Sequence, residues 1–231
     1  MKYTSAFDII GPVMIGPSSS HTAGAVRIGN IARQVLQESP QSVEFRLMGS
    51  FAQTYQGHGT DVALLAGILG LSPSHRDVPN AKEIAANEGI QFSFRSVNLG
   101  YFHPNTVSIV AKGNQHVVNI IASSIGGGKV EVQELDGLPL KFTGDKPTLL
   151  LYHNDKKGFL AKVCNYLDTK GYNIARLQLE RWHRGGSALA IAEIDGSIAG
   201  ETISELRQII PEITDFTVVN TEILSTKKSY P

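Results

Sequence analysis

This 231-residue chain is predicted to be α+β and to hold two domains, on three observations. Helix-period and strand-period segments alternate over the first third. Four strand candidates then follow one another between residues 90 and 135, the mark of antiparallel sheet. After a turn-rich break the pattern reads strand, helix, strand, strand, helix, strand, the ferredoxin-like βαββαβ order.

Ser20 or Thr22 opens the first helix, in which Ala25, Val26, Ile28, Ile31, Ala32, Val35 and Leu36 form one apolar stripe ending near residue 37. Ser39-Pro40 ends it. Val43, Phe45 and Leu47 alternate with Glu44, Arg46 and Met48, which predicts a strand over 43–48. Thr60 precedes the apolar run 62–69, a second helix that Gly70-Leu71-Ser72-Pro73-Ser74 breaks. Asn80 and Glu83 have capping-box spacing for a third helix over 80–86, which Gly89 stops. Strand candidates at 90–97, 106–111, 116–122 and 129–135 are separated by glycine, proline or asparagine.

Turn chemistry in Asp136-Gly137-Leu138-Pro139 and Thr143-Gly144-Asp145-Lys146-Pro147 marks the boundary. The domains are expected at 1–145 and 148–224, with a disordered tail at 225–231. Strands of the second domain are expected at 149–153, 172–182, 188–194 and 216–220, and helices at 157–169 and 200–209. Ala175, Leu177 and Leu179 alternate with Arg176, Gln178 and Glu180, so one sheet face should meet the helices and the other stay polar or pair with a partner. Each domain is long enough to bury its own core.

Lys plus Arg equals Asp plus Glu at 21 each, so there is no basic field to attract nucleic acid or an anionic membrane. No apolar run approaches the roughly 20 residues of a membrane span, and residues 1–8 lack the apolar core of a signal peptide. A cytoplasmic protein is expected. Cys164 is the one cysteine, in the helical pattern of Phe159, Leu160, Val163, Tyr166 and Leu167, and reads as a buried structural thiol. One thiolate cannot hold an iron–sulfur cluster, which takes about three or four. His75, His116, His153 and His183 have no partner at zinc-like spacing, so no metal site is expected and they read as surface or sheet residues.

The chemistry-bearing residues stand at two helix starts, Gly16-Pro17-Ser18-Ser19-Ser20-His21-Thr22 and Gly57-His58-Gly59-Thr60-Asp61. Free backbone N–H groups and the positive end of the helix dipole suit a carboxylate there, and the hydroxyls add donors. The plainer reading makes Ser20 and Thr60 ordinary N-caps and the histidines loop residues. Gly126-Gly127-Gly128 leads into the strand pattern Lys129, Val130, Glu131, Val132 and not into a helix, which excludes a nucleotide-binding loop. Ser19 or Ser20 beside His21 lacks the Gly-x-Ser-x-Gly elbow of a serine hydrolase.

Five segments in one order resemble the beta part of the bacterial iron–sulfur L-serine dehydratases. They are the run from Ile15 through His21 to Gly24, Gly49-Ser50-Phe51-Ala52-Gln53-Thr54, the His58 segment, His103-Pro104-Asn105-Thr106, and Ser124-Ile125-Gly126-Gly127-Gly128. The resemblance covers nearly all of residues 1–145. Beyond it, Asn154-Asp155-Lys156-Lys157-Gly158-Phe159-Leu160 and Gly171-Tyr172-Asn173-Ile174 resemble an ACT regulatory domain. The first domain is also similar to the allosteric substrate-binding domain of some phosphoglycerate dehydrogenases.

These resemblances imply the beta subunit of a lyase that converts L-serine to pyruvate and ammonia. Activity would require a cysteine-bearing alpha subunit whose cysteines ligate a 4Fe-4S cluster, one iron of which would act as Lewis acid on the serine hydroxyl. By the same resemblance Ser18, Ser19, Ser20, His21 and Thr22 grip the substrate carboxylate. His58 is then the base for the α-hydrogen, and Asp61 either orients its imidazole or caps the following helix. His103, Asn105 and the 126–128 turn line the pocket or contact the alpha subunit. Asn154, Gly158, Asn173 and Ile174 are the ligand-binding candidates of the ACT domain, through which homodimerisation is expected. The alternative is a non-catalytic amino-acid-binding regulatory subunit or sensor.

Overall fold

The computed structural model describes residues 12–220, so the expected tail at 225–231 and the segment 1–8 lie outside the described residues. A π-helical turn, Ser19–Gly24, runs directly into α1 (Ala25–Leu36). Then come β1 (Ser42–Leu47), α2 (Gly49–Thr54), α3 (Thr60–Ile68), a 3-10 turn at Val78–Asn80, α4 (Ala81–Asn87) and β2 (Gln91–Ser96). Three strands follow, β3 (Thr106–Lys112), β4 (Val117–Gly126) and β5 (Lys129–Leu135). The C-terminal unit is β6 (Thr148–Asn154), α5 (Phe159–Thr169), β7 (Ile174–Arg181), β8 (Ser187–Ile194), α6 (Gly200–Ile209) and β9 (Ile213–Val219).

The first sheet has the order β2-β1-β3-β4-β5, with β1 and β2 parallel and every other pair antiparallel. The parallel pair follows from the three helices between β1 and β2, since parallel strands need a long crossover. The second sheet is antiparallel throughout in the order β7-β8-β6-β9, the ferredoxin-like arrangement. Leu149, Leu151, Ala190 and Ala192 on one face of it pack with Phe159, Val163 and Leu167 of α5 and Ile203 and Leu206 of α6.

α3 is apolar on every side and is buried accordingly, crossing α1 where two glycines meet. A Cβ on Gly29 would lie 2.2 Å from the Leu64 carbonyl oxygen, and one on Gly67 would lie 2.1 Å from that of Val26. This backbone-to-backbone approach holds the two helix starts side by side, which is what brings the two histidine-bearing segments together.

Several local expectations are corrected. Regular α-helix starts at Ala25 because the residues before it form the π turn, and Ser18, not Ser20 or Thr22, is the capping residue. Asn80 makes no side-chain cap, because it ends a 3-10 turn with φ −94 and ψ 6, and a capping residue needs extended backbone. The short α2 was not expected, since six residues carry too little periodicity to read. Cys164 is half-buried and not fully so. His153 is a sheet residue, as expected, and a buried one.

The largest correction concerns the second sheet. Leu150, Leu189, Ile191 and Val219 belong to the same buried cluster as α1, Leu135, Leu140 and Phe142. The second unit closes a core of its own between sheet and helices, and its other sheet face joins the core of the first unit, so the face expected to stay polar or take a partner is covered from within the chain. The alternation was read on β7, an edge strand. The inner strands β6 and β8 are apolar on both faces, the pattern of strands packed on two sides. Gln34 of α1 seals the junction by exchanging hydrogen bonds with Asn220, whose N–H donates to Gln34 Oε1 at 2.8 Å.

Candidate active site

Ser18 has extended backbone, φ −146 and ψ 130, and its Oγ accepts from the His21 N–H at 3.3 Å. The same oxygen lies 3.4 Å from Nδ1 of the His21 ring. His21 is 8% exposed, so its other ring nitrogen also needs a partner, and Nε2 finds Ser50 Oγ at 3.2 Å. Ser50 comes from the first turn of α2, directly after Gly49. Gly49 has φ +56, and a Cβ there would lie 2.6 Å from the Pro104 carbonyl oxygen. Only glycine permits that backbone and that approach, so the His103-Pro104-Asn105 loop fixes where Ser50 stands.

The edge of the His21 ring meets Phe51 at 5.2 Å and His58 at 4.9 Å between centroids. Burial, and then the neighbouring His58, push the His21 pKa below the ordinary histidine value, against an opposing pull from the Ser50 carbonyl. His21 is therefore a neutral imidazole near pH 7. His58 is exposed, and with Gly16, Pro17, Thr22, Val62 and Val78 it lines a cavity of about 270 Å³. The Thr22 Oγ1 in its wall is buried and has no hydrogen-bond partner among the described residues. A buried hydroxyl left unpaired costs free energy unless a ligand or water meets it.

A family model for the serine dehydratase beta chain matches residues 5–135, the stretch that holds all of these groups. The chain belongs to the serine dehydratase beta chain family. It is 42% identical over 219 residues to the probable L-serine dehydratase beta chain of Bacillus subtilis (strain 168), covering 95% of this chain and 99% of that one. It is 40% identical over 193 residues to the L-serine dehydratase beta chain of Peptoniphilus asaccharolyticus, covering 83% and 87% of the two chains. The D-3-phosphoglycerate dehydrogenase of Methanocaldococcus jannaschii is 30% identical over 200 residues, which is 85% of this chain but 37% of that protein.

In this serine dehydratase beta chain the structure gathers Ser18, Ser19, Ser20, His21, Thr22 and His58 at one place. Asp61 is not part of it. Its carboxylate is 3% exposed, pairs with Lys82 Nζ of α4 and accepts from the Val62 N–H at 2.9 Å. Asp61 points into the packing between α3 and α4, so it ties the helices together and does not orient His58. His103 and Asn105 do not line this cavity; they flank Pro104, which packs against Gly49. The Asn105 N–H donates to His103 Nδ1 at 3.1 Å, and the Asn105 carbonyl accepts from the Ser124 N–H at 2.9 Å. Ser124 Oγ is another buried hydroxyl without a partner.

The four ACT candidates are not brought together. Asn154 pairs in register with Ser187 at one end of the second sheet, and Ile174 with Ile194 at the other. Seven strand residues at about 3.3 Å each separate those ends by about 20 Å, because β6 and β7 run the same way and α5 carries the chain back. Asn173 donates to Asp195 Oδ2 at 2.6 Å, and Gly158 precedes α5. Ser50 was missed by sequence reasoning. The signal was the glycine before it, in a segment already singled out, whose conformation only the fold reveals.

Proposed function

We propose that this chain is the beta subunit of an L-serine dehydratase, a lyase that converts L-serine to pyruvate and ammonia together with a partner subunit. One observation carries the reading. An exposed imidazole, His58, stands edge-on to a buried neutral one, His21, at the hydroxyl-rich start of a helix. The half-buried Ser19 and Ser20 and the free N–H groups of the π turn suit the substrate carboxylate. Ser18 is spent on the cap and on His21, so it shapes the turn more than it grips substrate.

His58 is the base in this reading. It reaches solvent and lines the cavity, whereas both nitrogens of His21 are taken by hydroxyls. The neutral His21 beside it adds no charge that would oppose proton uptake by His58. The α-proton passes to His58, and negative charge developing toward the carboxylate is met by the helix start.

The 4Fe-4S cluster that the resemblance implies does not fit this chain. Its single thiol, Cys164, lies on α5 in the second unit, and no three His, Cys, Asp or Glu side chains converge among the described residues. The cluster and its cysteines are therefore assigned to the alpha subunit, and activation of the leaving hydroxyl lies outside this chain. The βαββαβ unit is read as an ACT domain that pairs two copies of the chain. With its inner face covered, pairing falls to the exposed edge of β7. A sensor without chemistry rests on the phosphoglycerate dehydrogenase similarity and on the regulatory character of ACT domains, and it would not need an exposed imidazole beside the anion-binding turn. No helix among the described residues is long and apolar enough to cross a membrane, and a cytoplasmic setting is part of the proposal.

The test is reconstitution. The purified chain, treated anaerobically with iron and sulfide, should stay colourless and inactive toward L-serine, and turnover should appear on adding a cysteine-bearing alpha subunit. Cluster absorbance with turnover from this chain alone would contradict the assignment.

A further inference from the structure

We infer that the alpha subunit seats on the loop-built face around His58 and His21, with Tyr101 as an anchor. The inference rests on the proposed function and adds to it the surface that meets the partner. Ile15, Gly16 and Pro17 share a cavity wall with His58, the His21 ring reaches Ser50, and Gly49 packs on Pro104 of the 97–105 loop. The Asn105 carbonyl accepts from the Ser124 N–H, and Gly128 lies against Ala23 of the π turn. These contacts join the starts of α1 and α3, the loop between β2 and β3, and the turn after β4 into one surface. What sets that surface apart is the lack of charge. Charged residues make up 18% of the chain, yet 12–26, 49–60, 97–106 and 117–128 hold no Asp, Glu, Lys or Arg.

Depletion of charged residues, with aromatic residues and Met in their place, marks the core of a protein interface. Val13 is 84% exposed and Tyr101 fully so, Ile15 is exposed, and Met14, Leu99 and Phe102 are half-buried. Tyrosine is enriched among binding hot spots because it buries a large area and keeps a polar tip. The occupant follows from what the face lacks. Activation of the leaving hydroxyl is assigned to the alpha subunit, since Cys164 is the one thiol of the chain and lies in the second unit. A second copy would bring nothing that the first does not already hold, so the surface that closes over His58 belongs to the alpha subunit. That closure also removes bulk water from an exposed imidazole.

The test is anaerobic titration of the full chain with a purified cysteine-bearing alpha subunit, read by calorimetry. Tyr101→Ala should raise Kd about tenfold or more, and so should Val13→Glu, which sets a charge on the face. Ile209→Ser, at an exposed apolar position on α6 of the second unit, should leave Kd within about twofold of wild type. With the alpha subunit raised to saturation, kcat of Tyr101→Ala should return to within about twofold of wild type, as expected of a docking residue outside the chemistry. Wild-type affinity in both face variants would overturn the inference, and so would equal weakening by Ile209→Ser. Self-association of the chain that Tyr101→Ala abolishes, with affinity for the alpha subunit unchanged, would give the face to a second copy and overturn it as well. An alpha subunit that binds with the expected pattern but yields no serine turnover would remove the proposed function and leave the docking face standing.

Discussion

Two histidines stand 4.9 Å apart at the site, and burial gives them opposite roles. His21 is enclosed and held neutral, while His58 is open to the cavity. His21 and the buried His153 both have pKa values lowered, by burial first in each case. A histidine whose folded pKa lies below its unfolded one binds fewer protons when folded. Its contribution to stability is complete above about pH 6.5 and is lost as pH falls through the folded value. The urea midpoint should therefore drop between pH 7.5 and 5.5, and His153→Gln should flatten part of that slope. Asp136 acts in the opposite sense, since burial raises its pKa, so the difference between wild type and His153→Gln is what isolates the histidine contribution. A midpoint independent of pH across this range would contradict the burial argument.

Helix crossing is what turns two sequence motifs into one site. The apolar stripe of α1 and the apolar run of α3 were legible from the order of residues, and so was the placing of His21 and His58 shortly before two helices, while the capping residue and the true start of α1 were not. Nor was the contact between the two helices, because a glycine pair shows no period and its meaning depends on which helix lies opposite. Gly29→Ala places a methyl group against the Leu64 carbonyl, so the helices must separate. The variant should lose about 1–3 kcal/mol of stability by urea unfolding, the usual cost of overpacking a close contact. Wild-type stability would show that the approach is not tight. The π turn was beyond sequence reasoning for a related reason, since the contacts its His21 makes with Ser50, Phe51 and His58 come from elements distant in the sequence.

Across the whole molecule, the order of elements in the second unit was readable because hydrophobic periodicity switches cleanly between strand and helix. The way the two units join was not. Alternation on β7 described an edge strand, while the joining surface is made by Leu150, Leu189, Ile191 and Val219 from runs that look uniformly apolar in sequence. Asn154 and Ile174, both candidates for an ACT ligand held between paired domains, lie at opposite ends of the sheet within one chain. α1 begins at the π turn and packs against β9, so a single helix links the candidate active site to the second unit. The account as a whole turns on what His58 does in the assembled enzyme, and the most direct measurement is the turnover and solvent exchange of the serine α-hydrogen by His58→Ala. The account predicts a fall in kcat of about 10²–10⁴ with KM within a few fold, and loss of exchange. Near-normal turnover with exchange intact would contradict it and move the base to another residue.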